Sequence, residues 1–203
     1  MVNMEKKQSI LLASHNAHKI EELKEMLNQF NFHFESLSDI GWNEEIVEDG
    51  ETMEDNAWIK ANTLSTHYSG WIIGEDSGLE IDALDGRPGV YTARYAGKEK
   101  DPIANMTKVL DELKGETNRS ARFVTIIAFI MNGERHTYKG TVEGRISLKM
   151  RGDQGFGYDP IFIPSGYDET FAELGDEIKN NMSHRYNAAM ELKSFLESKS
   201  ENL

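Results

Sequence analysis

Apolar residues in the first third of the chain alternate between two spacings. Ile10-Leu11-Leu12-Ala13 is a continuous apolar run and predicts a buried strand over Gln8–Ala13. Ile20, Leu23, Met26, Leu27 and Phe30 then fall at helical spacing, which predicts an amphipathic helix over Asn16–Phe30. Phe32–Leu37 returns to a strand, with Phe32, Phe34 and Leu37 alternating imperfectly. Thr52-Met53-Glu54-Asp55 has the form of a capping box. It opens a helix reaching about Tyr68, whose core stripe is Met53, Ala57, Ala61, Leu64 and Tyr68. Trp71–Gly74 and Leu79–Leu84 read as strands on either side of an acidic turn, Glu75-Asp76-Ser77-Gly78.

Further along, Arg87-Pro88-Gly89-Val90 suits a type II turn, with proline second and glycine third. A helix is expected over Pro102–Leu113. Arg122–Met131 and Arg135–Val142 are strand-like and joined by Asn132-Gly133, a strong hairpin signal. Gly152–Gly157 is a glycine-rich loop. The last helix is expected over Lys179–Glu197, with Ala188, Ala189, Leu192, Phe195 and Leu196 on its apolar face. The early β-α-β-α-β order predicts an α/β fold, and the later hairpin makes its central, helix-flanked sheet mixed. No repeat, low-complexity tract or linker interrupts the pattern, so a single domain over residues 1–203 is expected.

Composition narrows the classes. Apolar residues make up 38% of the chain, too few and too scattered for a membrane span. The run at Ile10–Ala13 is too short for a signal-peptide core, so the cytoplasm is the expected compartment. The absence of cysteine excludes disulfides and thiolate metal sites. A net charge of −13 argues against a nucleic-acid polymer as ligand, because such binding needs clustered Lys and Arg. A small phosphorylated ligand needs only a few placed cations, and the charge does not exclude one.

Five segments could carry chemistry. Ser14-His15-Asn16-Ala17-His18-Lys19 lies between a strand and a helix, where backbone N–H groups and the positive helix end favor an anion. Lys19 opposes that dipole unless an anion is present; the alternative is an ordinary N-cap followed by a solvated lysine. Glu44–Asp55 holds seven carboxylates, of which Glu48 and Asp49 fall in the loop before Gly50, within reach of a metal. In the following helix Asn56, Lys60, Thr63 and His67 form a stripe, so one ligand could touch both Asn56 and Lys60. A solvated polar face is the alternative there. Gly152-Asp153-Gln154-Gly155-Phe156-Gly157-Tyr158-Asp159-Pro160, with three glycines and two aromatics, suits a loop that approaches a ligand closely while a ring stacks on a flat base, or else a hairpin-like turn with core aromatics. Lys179, His184 and Arg185 gather cationic side chains where a helix dipole disfavors them without an anion or a polar base edge. Glu75 and Asp76, two adjacent carboxylates after an apolar run, are costly to bury unless their charge is compensated, as a divalent cation would do.

Taken in order, these segments resemble the inosine/xanthosine triphosphate pyrophosphatase family over nearly the whole chain. The resemblance rests on L-L-A-S-H-N-A-H-K at Leu11–Lys19, E-D-G-E-T-M-E-D-N-A-W-I-K-A at Glu48–Ala61 and E-D-S-G-L at Glu75–Leu79. It extends to G-R-P-G-V-Y-T-A-R-Y-A-G at Gly86–Gly97, G-F-G-Y-D-P at Gly155–Pro160 and S-H-R at Ser183–Arg185.

The resemblance implies two lobes around a central cleft. It implies Mg²⁺-dependent hydrolysis, with Mn²⁺ as an alternative, of ITP, dITP and XTP between the α- and β-phosphates, in a homodimer. Ser14, His15, Asn16, Ala17, His18 and Lys19 would take the triphosphate. Glu48, Glu75 and Asp76 would form the metal and water-activating cluster, with Asp76 the general base, and Lys60 would face the phosphates. Ser77 would touch the substrate, and Phe156, Gly157, Tyr158, Asp159, Lys179, His184 and Arg185 would form the base pocket, with Phe156 the stacking ring. Two positions depart from the family pattern: Glu75 stands where many bacterial members have Asp, and His15 replaces a frequent small residue. A broader nucleotide phosphatase releasing orthophosphate and a nucleotide sensor without turnover are the competing functions.

Overall fold

The computed structural model describes residues 7–200. Strand β1 (Ser9–Leu12) leads into helix α1 (Ala17–Met26), and β2 (His33–Ser36) follows. Helix α2 (Met53–Ser65) precedes the long strand β3 (Trp71–Ile81), and α3 (Pro102–Glu112) precedes β4 (Ser120–Met131) and β5 (Glu134–Ile146). Strand β6 (Phe162–Pro164), the short helices α4 (Phe171–Leu174) and α5 (Asp176–Asn180), and α6 (His184–Ser200) complete the chain. The strands form one sheet in the order β2-β1-β3-β4-β5-β6. β1 pairs in parallel with β2 and β3, whereas β6 is antiparallel to β5. The expected mixed sheet with flanking helices is therefore present.

The chain separates into two compact units. One holds the described residues up to Asp76, Ile126–Tyr138 and the chain from Ala189; the other holds Ser77–Thr125 and Lys139–Ala188. In the first, β1 is buried along Ile10, Leu11 and Leu12, and α2 lies directly on β3. A side-chain carbon on Gly74 would collide with the Ala57 carbonyl and come within 2.9 Å of Ala61 N, so only glycine permits that approach. Phe129 packs edge-on against Trp71 and Phe195. In the second unit Leu79, Ile81, Val109, Phe123, Ile161, Phe162 and Phe171 belong to a single apolar cluster.

Several expected boundaries move, each for a visible reason. The acidic turn is not a turn, because β3 runs straight through Glu75-Asp76-Ser77-Gly78. Successive side chains of a strand point to opposite faces. Asp76 accordingly shares the α2 side with Gly74, while Glu75 meets Lys19 of α1. Lysines meet both charges, so the strand need not leave the interior to solvate them. Arg87-Pro88-Gly89-Val90 is not a type II turn either. The Arg87–Pro88 bond is cis, and Pro88 has ψ −25°, leading into the 3₁₀ helix Gly89–Arg94. The last helix is split, with Lys179 in α5 and His184 opening α6. Helix α1 ends at Met26, and Phe30 beyond it stacks on Phe32 at 5.1 Å. Helix α2 ends at Ser65, and Tyr68 beyond it donates its hydroxyl to Glu35.

The Asn132-Gly133 hairpin is as expected, both residues having positive φ (53° and 85°) as a type I′ turn requires. The capping box of α2 also forms, with Thr52 Oγ1 accepting from Asp55 N and the Asp55 carboxylate accepting from Thr52 N.

Candidate active site

In the first unit the β1–α1 junction is organized by local hydrogen bonds. Ser14 Oγ accepts from Asn16 N at 3.0 Å, and Asn16 caps α1 by accepting from Lys19 N at 3.3 Å. His15, Asn16, Ala17 and His18 are exposed, and the first turn of α1 contains no acidic residue. That leaves the positive helix end accessible to an anion. Lys19 points back toward the sheet and lies 3.3 Å from the Glu75 carboxylate, which is almost fully buried.

Helix α2 supplies the other cation. Lys60 is 8% exposed, and its ammonium donates to the Glu75 carbonyl at 2.8 Å and to Asp76 Oδ1 at 3.2 Å. It also lies 2.7 Å from Glu48 Oε2. All three of its N–H groups thus have an acceptor. Burial by itself would lower the pKa of this amine, but Asp76 and Glu48 outweigh it and hold the ammonium above its ordinary value. One turn earlier, Asn56 accepts from Gly50 N at 2.9 Å and donates to Asp76 Oδ2 at 3.4 Å. A side chain on Gly50 would come within 2.7 Å of Asn56 Oδ1, so glycine allows the acidic loop to close over α2.

The three expected metal-ligand carboxylates are divided between two lysines. Glu48 and Asp76 converge on Lys60, and Glu75 pairs with Lys19. Among the described residues, no group of three or more His, Asp or Glu side chains is disposed to hold a metal ion. Carboxylate oxygens are nevertheless the donors a hard cation takes, and Glu48 and Asp76 already converge on one positive charge. That donor set suits a hard divalent cation.

In the second unit Phe156, Asp159 and Lys179 form a compact group. Asp159 Oδ2 accepts from Phe156 N at 2.8 Å and from Lys179 Nζ at 2.7 Å, with both charged side chains buried. The same ammonium sits 4.0 Å from the center of the half-buried Phe156 ring. The positive φ values of Gly155 (76°) and Gly157 (62°) give the loop a conformation that other residues resist. Tyr158 is buried, and its hydroxyl donates to the Thr92 carbonyl at 2.8 Å. His184 stacks on Phe123 at 4.8 Å, and Arg185 is 1% exposed with Nη2 at 3.4 Å from Ser77 Oγ. Ser77 also bonds Thr125 Oγ1 at 2.8 Å.

Three residues in this arrangement were not singled out from the sequence. Thr125 carried the clearest signal, as a lone hydroxyl in the apolar run Phe123–Met131. Phe123 looks like any core residue of that strand, and Thr92 lay inside the Gly86–Gly97 motif without a role.

The profile of the Ham1 family matches residues 10–195. The chain belongs to the Ham1 family. Its relatives include the dITP/XTP pyrophosphatase of Bacillus subtilis, which is 48% identical over 92% of this chain and 96% of its own length. That of Porphyromonas gingivalis is 40% identical over 93% of this chain and 97% of its own length. Among solved structures, the Staphylococcus aureus Ham1 protein superposes with a TM-score of 0.87 at 39% identity, covering 95% of this chain and all (100%) of that one. A HAM1 protein from Coxiella burnetii gives 0.88 at 36% identity, covering 94% and 99%. Membership in the Ham1 family agrees with the mixed sheet and with the order of the six motifs that carried the resemblance. No described helix is long and apolar enough to cross a membrane.

Proposed function

We propose that this Ham1-family protein hydrolyzes nonstandard purine nucleoside triphosphates (ITP, dITP and XTP) to the monophosphate and pyrophosphate. The observation that carries the reading is the group of buried Lys60, Asp76 and Asn56 with the partly buried Glu48. A charged lysine there, held against two carboxylates, suits phosphoanhydride hydrolysis. Relatives bearing the name dITP/XTP pyrophosphatase at 40–48% identity support the choice of substrate.

Mg²⁺ is assigned to Glu48 and Asp76, with Glu75 as a further ligand if its carboxylate leaves Lys19, and Mn²⁺ is an alternative. When bound, the ion supplies charge neutralization at phosphate oxygens. Asp76 accepts the proton of the attacking water at a carboxylate oxygen, and Asn56 holds that carboxylate in orientation. Lys60 and Lys19 offset the negative charge of the phosphates, and Ser14–His18 contribute backbone and side-chain donors at the start of α1.

Base recognition is assigned to the second unit. Phe156 stacks on the purine, held by the Asp159–Lys179 pair. Donors from Lys179, His184 or Arg185 face a 6-keto oxygen, and the amino group of adenine would oppose them donor to donor. Ser77, Gly157 and Asp159 complete that set, while Tyr158 supports the loop from the core. The chain serves as a single pyrophosphatase domain in a cytoplasmic homodimer, with no nucleic-acid polymer as partner.

A pyrophosphate-release panel over ITP, XTP, dITP, GTP and ATP with Mg²⁺ tests the selectivity. kcat/KM for ITP or XTP should exceed that for ATP by at least about 100-fold. Equal values for ITP and ATP would sink the assignment of the base donors.

A further inference from the structure

The Gly86–Gly97 motif has no part in the chemistry assigned above, yet it is fastened to the functional loop of the second unit. Thr92 is the fastening point. Its hydroxyl donates to the Gly89 carbonyl at 2.6 Å and accepts from Leu79 N at 2.8 Å. Its carbonyl accepts from the Tyr158 hydroxyl at 2.8 Å. Leu79 lies two residues beyond Ser77 on β3, and Tyr158 lies between Phe156 and Asp159 in the glycine-rich loop. Thr92 therefore ties the strand that bears Ser77 to the loop that bears the stacking ring.

The segment around Thr92 is itself fixed on α3. Asn105, 3% exposed, accepts from Ala96 N at 2.6 Å and donates to the Ala93 carbonyl at 3.1 Å. Lys108 Nζ donates to the Tyr95 carbonyl at 2.8 Å. The Tyr95 hydroxyl donates to Glu112 at 2.6 Å, and Arg87 pairs with the same carboxylate at 3.0 Å. Tyr158 is 4% exposed, so its hydroxyl serves the loop and has little surface to offer a ligand. A buried donor of this kind costs free energy when its acceptor is lost, which makes the Thr92–Tyr158 bond a defined anchor.

We propose that Thr92 and Tyr158 are positioning residues for base recognition, setting the place of Phe156 through the Tyr158–Asp159 turn. Neither touches the reacting phosphates. The inference rests on the assignment of Phe156 to the purine, and losing the anchor should weaken substrate binding more than turnover.

The test compares Tyr158→Phe, Thr92→Val and Thr92→Ser with the wild-type protein. Tyr158→Phe removes one hydrogen bond and keeps the ring in the core. The expected result is a KM for XTP raised about fivefold with kcat within about twofold, the worth of one such bond. Thr92→Val should raise KM similarly, and Thr92→Ser, which restores the hydroxyl, should return it to the wild-type value. An unchanged KM in Tyr158→Phe, or a kcat that falls as far as kcat/KM, overturns the proposal. Should Thr92→Val fail to fold, Tyr158→Phe and Thr92→Ser still decide the matter.

Hydrogen exchange provides a readout that does not depend on turnover. Tyr158→Phe should speed exchange at the Phe156 and Asp159 amides, which bond within the loop, and leave the β1 amides unchanged. Unaltered exchange at Phe156 and Asp159 contradicts the positioning role even if wild-type protein hydrolyzes no nucleotide. That last result would refute the proposed function and leave this inference to the exchange data.

Discussion

Lys60 shows how one side chain can hold a group of acceptors together. Its ammonium satisfies Asp76, Glu48 and the Glu75 carbonyl at once, and none of these acceptors is close to it in sequence. Removing one partner from a buried ionic group leaves the others uncompensated, a loss of about 3–5 kcal/mol in comparable cases. Lys60→Met should therefore lower both activity and the urea midpoint. Because the folded pKa of Lys60 is raised, its stabilization is complete below the ordinary lysine pKa of 10.5 and disappears as pH climbs through the higher folded value. The difference in stability between wild-type protein and Lys60→Met should hold steady from pH 7 to 9 and shrink above about pH 10.5. A difference that already shrinks between pH 7 and 9 would contradict the assignment. Asp76→Asn preserves shape but loses the base, so kcat should fall by about 10²–10⁴ while the circular dichroism spectrum stays unchanged. Near-normal turnover would remove Asp76 from that role.

At the scale of elements, the seat of α2 on β3 decides whether Lys60 reaches Asp76. Gly74 leaves no room for a side chain beneath Ala57 and Ala61, so Gly74→Ala must push the helix away. A loss of roughly 1–3 kcal/mol is expected in urea unfolding, together with reduced kcat. Retention of both wild-type values would show that α2 can shift without cost. The sequence made the short-range devices legible: the apolar run of β1, the helical spacing of α1, the capping box at Thr52 and the Asn132-Gly133 hairpin. Each is encoded within a few residues. The continuity of β3 was hidden because the charges that make Glu75 and Asp76 tolerable inside a strand come from Lys19 and Lys60, outside any local window. The same limit concealed Thr92, whose partners Leu79 and Tyr158 lie 13 and 66 positions away. The residue types of the candidate site were legible; the division of three carboxylates between two lysines was not.

The whole molecule divides the candidate site residues between its compact units. Glu48, Asn56, Lys60, Glu75 and Asp76 belong to the first, and Ser77, Phe156, Asp159, Lys179 and Arg185 to the second. The division falls between Asp76 and Ser77, within the strand that bears the acidic motif. A net charge of −13 gives the chain no general attraction for a polyanion, and the lysines of the candidate site each face a carboxylate: Lys19 and Lys60 in the first unit, Lys179 in the second. The proposed reaction is cleavage of the bond between the α- and β-phosphates of a nonstandard purine nucleotide. Phosphorus NMR of XTP incubated with the protein and Mg²⁺ tests that reaction most directly. The expected spectrum shows XMP and pyrophosphate rising together with no orthophosphate; XDP with orthophosphate, or XTP left intact, would contradict it.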